Sequence, residues 1–236
     1  MFNQYQKYIF IIVCTISSFW LISCGNSKRD KAFNEVKNAG NNVPTDLNGI
    51  KGVQIGNQVW SAQNLSVSTF KNGEDIFHAQ TEEQWETAGS EGVAAWCYYN
   101  NDSANGTKYG KLYNWYAVND SRGLAPEGWH IPSSEEWTTL SDHLGGDDVA
   151  GLKLKSDTGW ADKGNGNNIV GFSAMPGGYR YFGGLFFNAG LDGGWWTSTE
   201  SGEGFAMLRY LYSVHTNVFT NRLNCKLGMS VRCVQD

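Results

Sequence analysis

The sequence predicts an α+β domain, a compact twisted antiparallel β structure with one or two helices and long loops. Three observations predict it. The chain holds 29 glycines against four prolines in 236 residues, a balance that suits many tight turns better than long helices. Beyond residue 168, short apolar runs (169–175, 179–187, 194–199, 205–214 and 227–234) alternate with glycine pairs and polar turns, the pattern of successive short strands. One segment ahead of them carries a complete helix signature, so the helix packs on a mainly β structure.

Val53, Ile55, Val59 and Trp60 bracket Gly56-Asn57, a turn pair between apolar runs that reads as a β-hairpin. Residues 81–89 allow one or two helical turns. Trp96 to Tyr99 reads as an aromatic strand ending in the Asn100-Asn101-Asp102 loop, and Lys111 to Val118 as another. The helix signature follows Pro132. Ser133 and Glu136 have capping-box spacing, Trp137, Leu140, Ser141 and Leu144 share one face, and Gly145-Gly146 ends it. Gly-Trp recurs at 128–129, 159–160 and 194–195 in unlike surroundings, which is no repeat architecture.

The N-terminus reads as an export signal. Lys7 precedes an apolar run of 16 residues, Tyr8 to Ser23, shorter than the about 20 that a spanning helix needs. A charged start, a short apolar stretch and a small residue at the cut site describe a secretory signal peptide over 1–23. Leu21-Ile22-Ser23-Cys24-Gly25 resembles a bacterial lipobox, which makes Cys24 the lipidation site; the alternative is an uncleaved signal anchor. One acyl chain holds a protein weakly; the lipoprotein resemblance implies a diacylglycerol thioether plus an N-acyl group. Gly25 in place of Asp points to the cell outer membrane. Residues 24–49 contain two large apolar groups, Phe33 and Leu47, too few to order the segment. They read as a flexible tether, with a short helix over 30–38 as the alternative, and the domain as 50–236.

Loss of residues 1–23, which carry one Lys and no acid, takes the formal net charge from -5 to -6. Such a chain offers no basic patch for nucleic acid. Cys97, Cys225 and Cys233 remain in the domain. Outside the cytoplasm disulfides persist, and three cysteines allow one bridge with one thiol over.

Several strings occur in a fixed order: Trp96-Cys97-Tyr98-Tyr99-Asn100-Asn101-Asp102, Gly110-Lys111-Leu112-Tyr113-Asn114-Trp115-Tyr116-Ala117-Val118, and Ala125-Pro126-Glu127-Gly128-Trp129-His130-Ile131-Pro132 with Glu136-Trp137. Met175-Pro176-Gly177-Gly178-Tyr179-Arg180, Trp195-Trp196-Thr197-Ser198-Thr199-Glu200 and Gly228-Met229-Ser230-Val231-Arg232-Cys233-Val234 follow. Over residues 50–236 they resemble the Fibrobacter succinogenes major paralogous domain family, found mostly in secreted or surface proteins of Bacteroidetes and related bacteria. That family is similar in pattern to the C-type-lectin-like fold, including the branch of formylglycine-generating enzymes. The resemblance implies paired N- and C-terminal strands and a Cys97–Cys233 disulfide. It brings no established activity. Asp102-Ser103-Ala104 is similar to the Bacteroidetes O-glycosylation tripeptide.

No catalytic constellation stands out. The copper-binding cysteines of the enzyme branch lie a few residues apart, whereas Cys225 and Cys233 are eight apart. His78, His130, His143 and His215 lack metal-ligand spacing. Asp147-Asp148 reads as a solvated acidic loop; calcium binding there is the alternative, and no other cofactor is expected. What remains is aromatic surface. Trp195 and Trp196 are adjacent, so on a strand they face opposite ways; with one in the core, the other lies outside or under a loop. Phe187, Asn188, Asp192, Trp195, Trp196 and Glu200 are therefore the candidate ligand-binding residues, suited to sugar rings. The expected function is a cell-envelope lipoprotein displaying a non-catalytic domain that binds glycan or protein. The alternatives are a structural or assembly lipoprotein of the envelope, or an enzyme of formylglycine-generating type.

Overall fold

A computed structural model describes residues 47–236; the signal segment, Cys24 and the tether to residue 46 lie outside the described residues. The chain opens with β1 (Gly52–Ile55), β2 (Gln58–Ser61) and β3 (Phe77–His78), then α1 (Glu82–Glu91) and β4 (Ala95–Cys97). After a 3-10 turn over Tyr99–Asn101 come α2 (Ser103–Tyr109), β5 (Leu112–Tyr113), α3 (Trp115–Val118), β6 (Trp129–His130), α4 (Ser134–His143) and α5 (Asp147–Leu154). The last part is β: β7 (Tyr179–Arg180), β8 (Phe186–Phe187), β9 (Asp192–Glu200), β10 (Phe205–Tyr212), β11 (Phe219–Asn224) and β12 (Val234–Gln235). The described residues are thus mixed α+β, with small, mostly antiparallel sheets. No described helix is long and apolar enough to cross a membrane.

The sheet order β1-β2-β12-β6 joins the two ends of the domain, with Val234 opposite both Trp60 and His130. The Gly56-Asn57 hairpin forms as expected, with Ile55 opposite Gln58. So does the capping box of α4: Ser133 Oγ accepts from Glu136 N at 3.2 Å, and Glu136 Oε2 accepts from Ser133 N at 2.8 Å. The apolar face of α4 buries Trp137, Leu140 and Ser141. Helix α1 has its own box, Thr81 with Gln84.

Four expectations are corrected. Lys111 to Val118 is not one strand. The Asn114 side-chain oxygen accepts from Ala117 N at 3.1 Å and caps α3, so pairing stops at Tyr113. Asp147-Asp148 is not a loop but the first turn of α5, where acids favour the positive end of the helix dipole; Asp148 Oδ1 accepts from Asn217 Nδ2 at 2.8 Å. Leu47 to Gly49 belong to the domain rather than the tether, since the Leu47 carbonyl accepts from Trp129 Nε1 at 3.2 Å. Residues 169–175 form no strand but turn at Ile169–Val170 and pass through positive φ at Gly171 and Ser173, and they and residues 227–233 carry only isolated bridges.

The β11-β10-β9 sheet divides the core. On one face Trp196, Leu208, Tyr210 and Met229 join the largest apolar cluster; on the other Trp195 and Leu211 pack with Trp60, Trp137 and Phe172. Buried cations hold the irregular segments by meeting main-chain carbonyls. Arg180 donates to Ala79, Thr81 and Gly184, and Lys155 to Gly164, Tyr212, Ser213 and His215. Buried carbonyls need such partners, and loops leave many without a ladder.

Candidate ligand-binding surface

The exposed aromatic surface is built on the β7–β8 hairpin. Its turn is closed by Tyr181 N donating to the Leu185 carbonyl at 2.7 Å and Gly184 N to the Tyr181 carbonyl at 2.9 Å. Gly178 enters β7 at φ 62°, and a Cβ there would run into the Phe187 carbonyl, so only glycine fits. The hairpin pairs Tyr179 with Phe187 and Arg180 with Phe186. Strand alternation then sorts the side chains. Arg180 points inward, its guanidinium 4.8 Å from the Trp85 ring and 4.7 Å from Phe186. Tyr179 and Phe187 face out, stacked at 5.6 Å.

The tip extends this surface. Tyr181 lies 3.9 Å from Phe182 and meets Phe187 edge-on at 6.2 Å. Tyr181, Phe182, Leu185, Phe187 and Leu191 are each 38–52 % exposed, a contiguous apolar stretch of the kind that marks interaction sites. Beside it Tyr212 packs on Tyr210 at 4.8 Å and Phe219 at 5.1 Å.

A carboxylate sits at the base. Asp192 opens β9 opposite Tyr212 and is buried. Its Oδ2 accepts from Asn188 Nδ2 at 2.5 Å and from Tyr210 Oη at 2.9 Å. Burial first, and the Asp192 charge second, raise the phenol pKa of Tyr179 and Tyr210 above the ordinary tyrosine range. Both rings stay neutral near pH 7.

Of the six candidate residues, Phe187, Asn188 and Asp192 come together here. Trp195 and Trp196 are corrected: both are fully buried, because each face of the sheet carries its own core cluster, and their ring nitrogens donate to Asn64 Oδ1 and the Tyr113 carbonyl. Glu200 is exposed at the far end of β9, roughly 25 Å from Asp192 at the usual strand rise. Sequence reasoning missed Tyr179, Tyr181, Phe182 and Tyr212. The Tyr-Arg-Tyr-Phe-Gly-Gly-Leu-Phe-Phe string was the signal for the first three, because aromatics flanking a glycine turn place alternate rings outside; Tyr212 joins them only through the sheet register.

The family model described as Fibrobacter succinogenes major domain matches residues 53–235. The chain belongs to that family. No match was found among the curated proteins or the solved structures. In this Fibrobacter succinogenes major domain the expected Cys97–Cys233 bridge is not formed. Cys97, Cys225 and Cys233 are free and buried. Alternation in the β3-β4-β5 sheet accounts for it: Trp96 and Tyr113 face the largest cluster, where Cys233 lies, while Cys97 and Leu112 face the cluster of Trp85 and Ala79. Burial pushes both thiols up to about 12.

Proposed function

We propose that this chain is a cell-envelope lipoprotein, anchored through Cys24 in the outer membrane, whose domain is a non-catalytic binding module for glycan or protein. The exposed aromatic hairpin of Tyr181, Phe182, Leu185 and Phe187 is the observation that supports the binding role. Aromatic faces offer sugar CH faces a platform, and Asn188 beside them offers an amide to hydroxyl edges. The lipobox-like segment supports the anchor. The pairing of β2 with β12 agrees with a C-type-lectin-like arrangement of the fold.

The test is a glycan-array screen with the full chain in a polyoxyethylene detergent, comparing wild type with Phe187→Ala and Tyr181→Ala. Both side chains are substantially exposed, so the fold should tolerate their loss. Binding that both variants lose supports the reading. Binding that both retain removes the hairpin from it. An array with no signal moves the ligand to protein, and capture from envelope extracts should then depend on the same two residues.

A further inference from the structure

Asp192 presents a problem of charge. Its side chain is withdrawn from water, 6 % exposed, and both groups that bond it, Asn188 and Tyr210, are neutral donors. Among the described residues no Lys, Arg or His pairs with it. An unpaired buried carboxylate is costly. Arg180, Lys155 and Arg232, by contrast, each meet several acceptors. Oδ1 of Asp192 accepts no hydrogen bond from the described residues. It is also not one of the sealed polar atoms lacking a partner, which are Trp137 Nε1 and Arg209 Nε. That oxygen thus keeps a small contact with solvent and lone pairs without a donor.

Aromatic rings gather around the approach. Tyr212 is the direct cross-strand neighbour of Asp192, the pairing that brings side chains closest. Gly178 bridges Gly193 and donates to the Asp192 carbonyl at 2.9 Å, which carries Tyr179 in beside the carboxylate. Phe187 stacks on Tyr179 at 5.6 Å, and Tyr181 closes the outer side. Tyr179 and Tyr212 are half-buried.

The geometry points to a binding site for a soluble alkylated ammonium group, held against the rings of Tyr179, Tyr212 and Phe187 with Asp192 as its counter-charge. The inference rests on the proposed binding surface and adds to its glycan or protein ligand a small cation held at the base of the hairpin. An ammonium bearing methyl groups suits aromatic faces, whose quadrupole attracts cations while their carbon surface accepts the methyls. A hard metal ion needs six or more oxygens, and this site frees one carboxylate oxygen. A neutral sugar would leave the carboxylate uncompensated.

The experiment titrates the full chain with choline and with 3,3-dimethyl-1-butanol, its uncharged isostere, following tyrosine and tryptophan fluorescence. We expect choline to bind about tenfold or more tightly than the isostere, and Asp192→Asn to abolish that preference. Should Asp192→Asn fail to fold, Tyr212→Leu keeps the carboxylate and should weaken choline severalfold. Equal binding of the two ligands, absent choline binding, or a preference unchanged in the folded variants overturns the inference. Phe187→Ala losing a neutral oligosaccharide while choline stays silent would leave the proposed function standing without this ligand. If no ligand's binding depends on the hairpin, both fall.

Discussion

Arg232 places its Nε 2.7 Å from the side-chain oxygen of Asn64. The same oxygen accepts Trp195 Nε1 at 2.8 Å, and the other guanidinium nitrogens donate to the carbonyls of Ser61, Phe172 and Ser173 at 2.6–3.0 Å. One fully buried cation thus links β2, the core tryptophan of β9 and the loop before β7. Burial works against its charge; the converging acceptors hold it.

Replacing that fork with an ammonium should be destructive. The four acceptors are met by three separate guanidinium nitrogens spread across a planar fork, which one ammonium cannot occupy together, and each buried acceptor left unmet costs about 1–3 kcal/mol. We expect Arg232→Lys to lose about 3 kcal/mol or more, read as a lower denaturant midpoint at unchanged slope. A variant within experimental error of wild type would refute the account.

Gly151 should reverse the usual order of helix propensities. Alanine is favoured over glycine in a helix interior by about 1 kcal/mol. On α5, however, a Cβ at 151 would lie 2.5 Å from the Thr216 carbonyl oxygen and 2.6 Å from that of Asn217, both main-chain atoms that cannot swing aside. Gly151→Ala is expected to lower the thermal midpoint, and a rise would show that the loop yields.

The three domain thiols should be inert in the folded protein. Burial raises Cys97 and Cys233 to about 12 and Cys225 to about 11, so the reactive thiolate is scarce at pH 8. Iodoacetamide labelling followed by peptide mass analysis should find all three unmodified under native conditions and all three alkylated in guanidinium. A linked Cys97–Cys233 peptide from non-reduced protein would contradict the free-thiol arrangement.

His130 gives a dependence on pH. It lies between Glu136 and Asp236, each at 2.8 Å. Burial opposes the charged ring, but the hydrogen bonds and charges of the two acids prevail and raise its pKa above 6.5. The folded state therefore binds the proton more tightly than the unfolded chain. The stabilisation is fully present below the unfolded value and fades as pH rises through the folded one. All three side chains are substantially exposed, which screens the effect to about 0.5 kcal/mol. His130→Gln should cost more at pH 5.5 than at pH 8.5 in paired thermal melts, and an equal cost would show that the ring acts by shape alone.

The parts legible in the sequence were those whose cause is local. The α4 cap needs only Ser133 and Glu136, and the first hairpin only Gly56-Asn57 between apolar runs. Where the cause lies across the fold, the reading failed. Asn114 ends a strand because its oxygen serves both Ala117 and the distant Ala95. Adjacent Trp195 and Trp196 are both hidden because separate clusters cover the two faces of β9. Strand β11 escaped notice because Phe219–Asn224 alternates with few apolar residues and is held by pairing to β10. The hairpin site was half visible: Phe187, Asn188 and Asp192 were in view, but the register that sets Tyr212 against Asp192 is a property of the sheet.

The place of β12 sets an order of events. The strand that separates β2 from β6 in the first sheet is the one translated last. A nascent chain can assemble its hairpins and capped helices as they emerge, but Trp60 and His130 must wait for Val234 before their edges are joined. Closure of this sheet is thereby postponed until the last of its strands has been made.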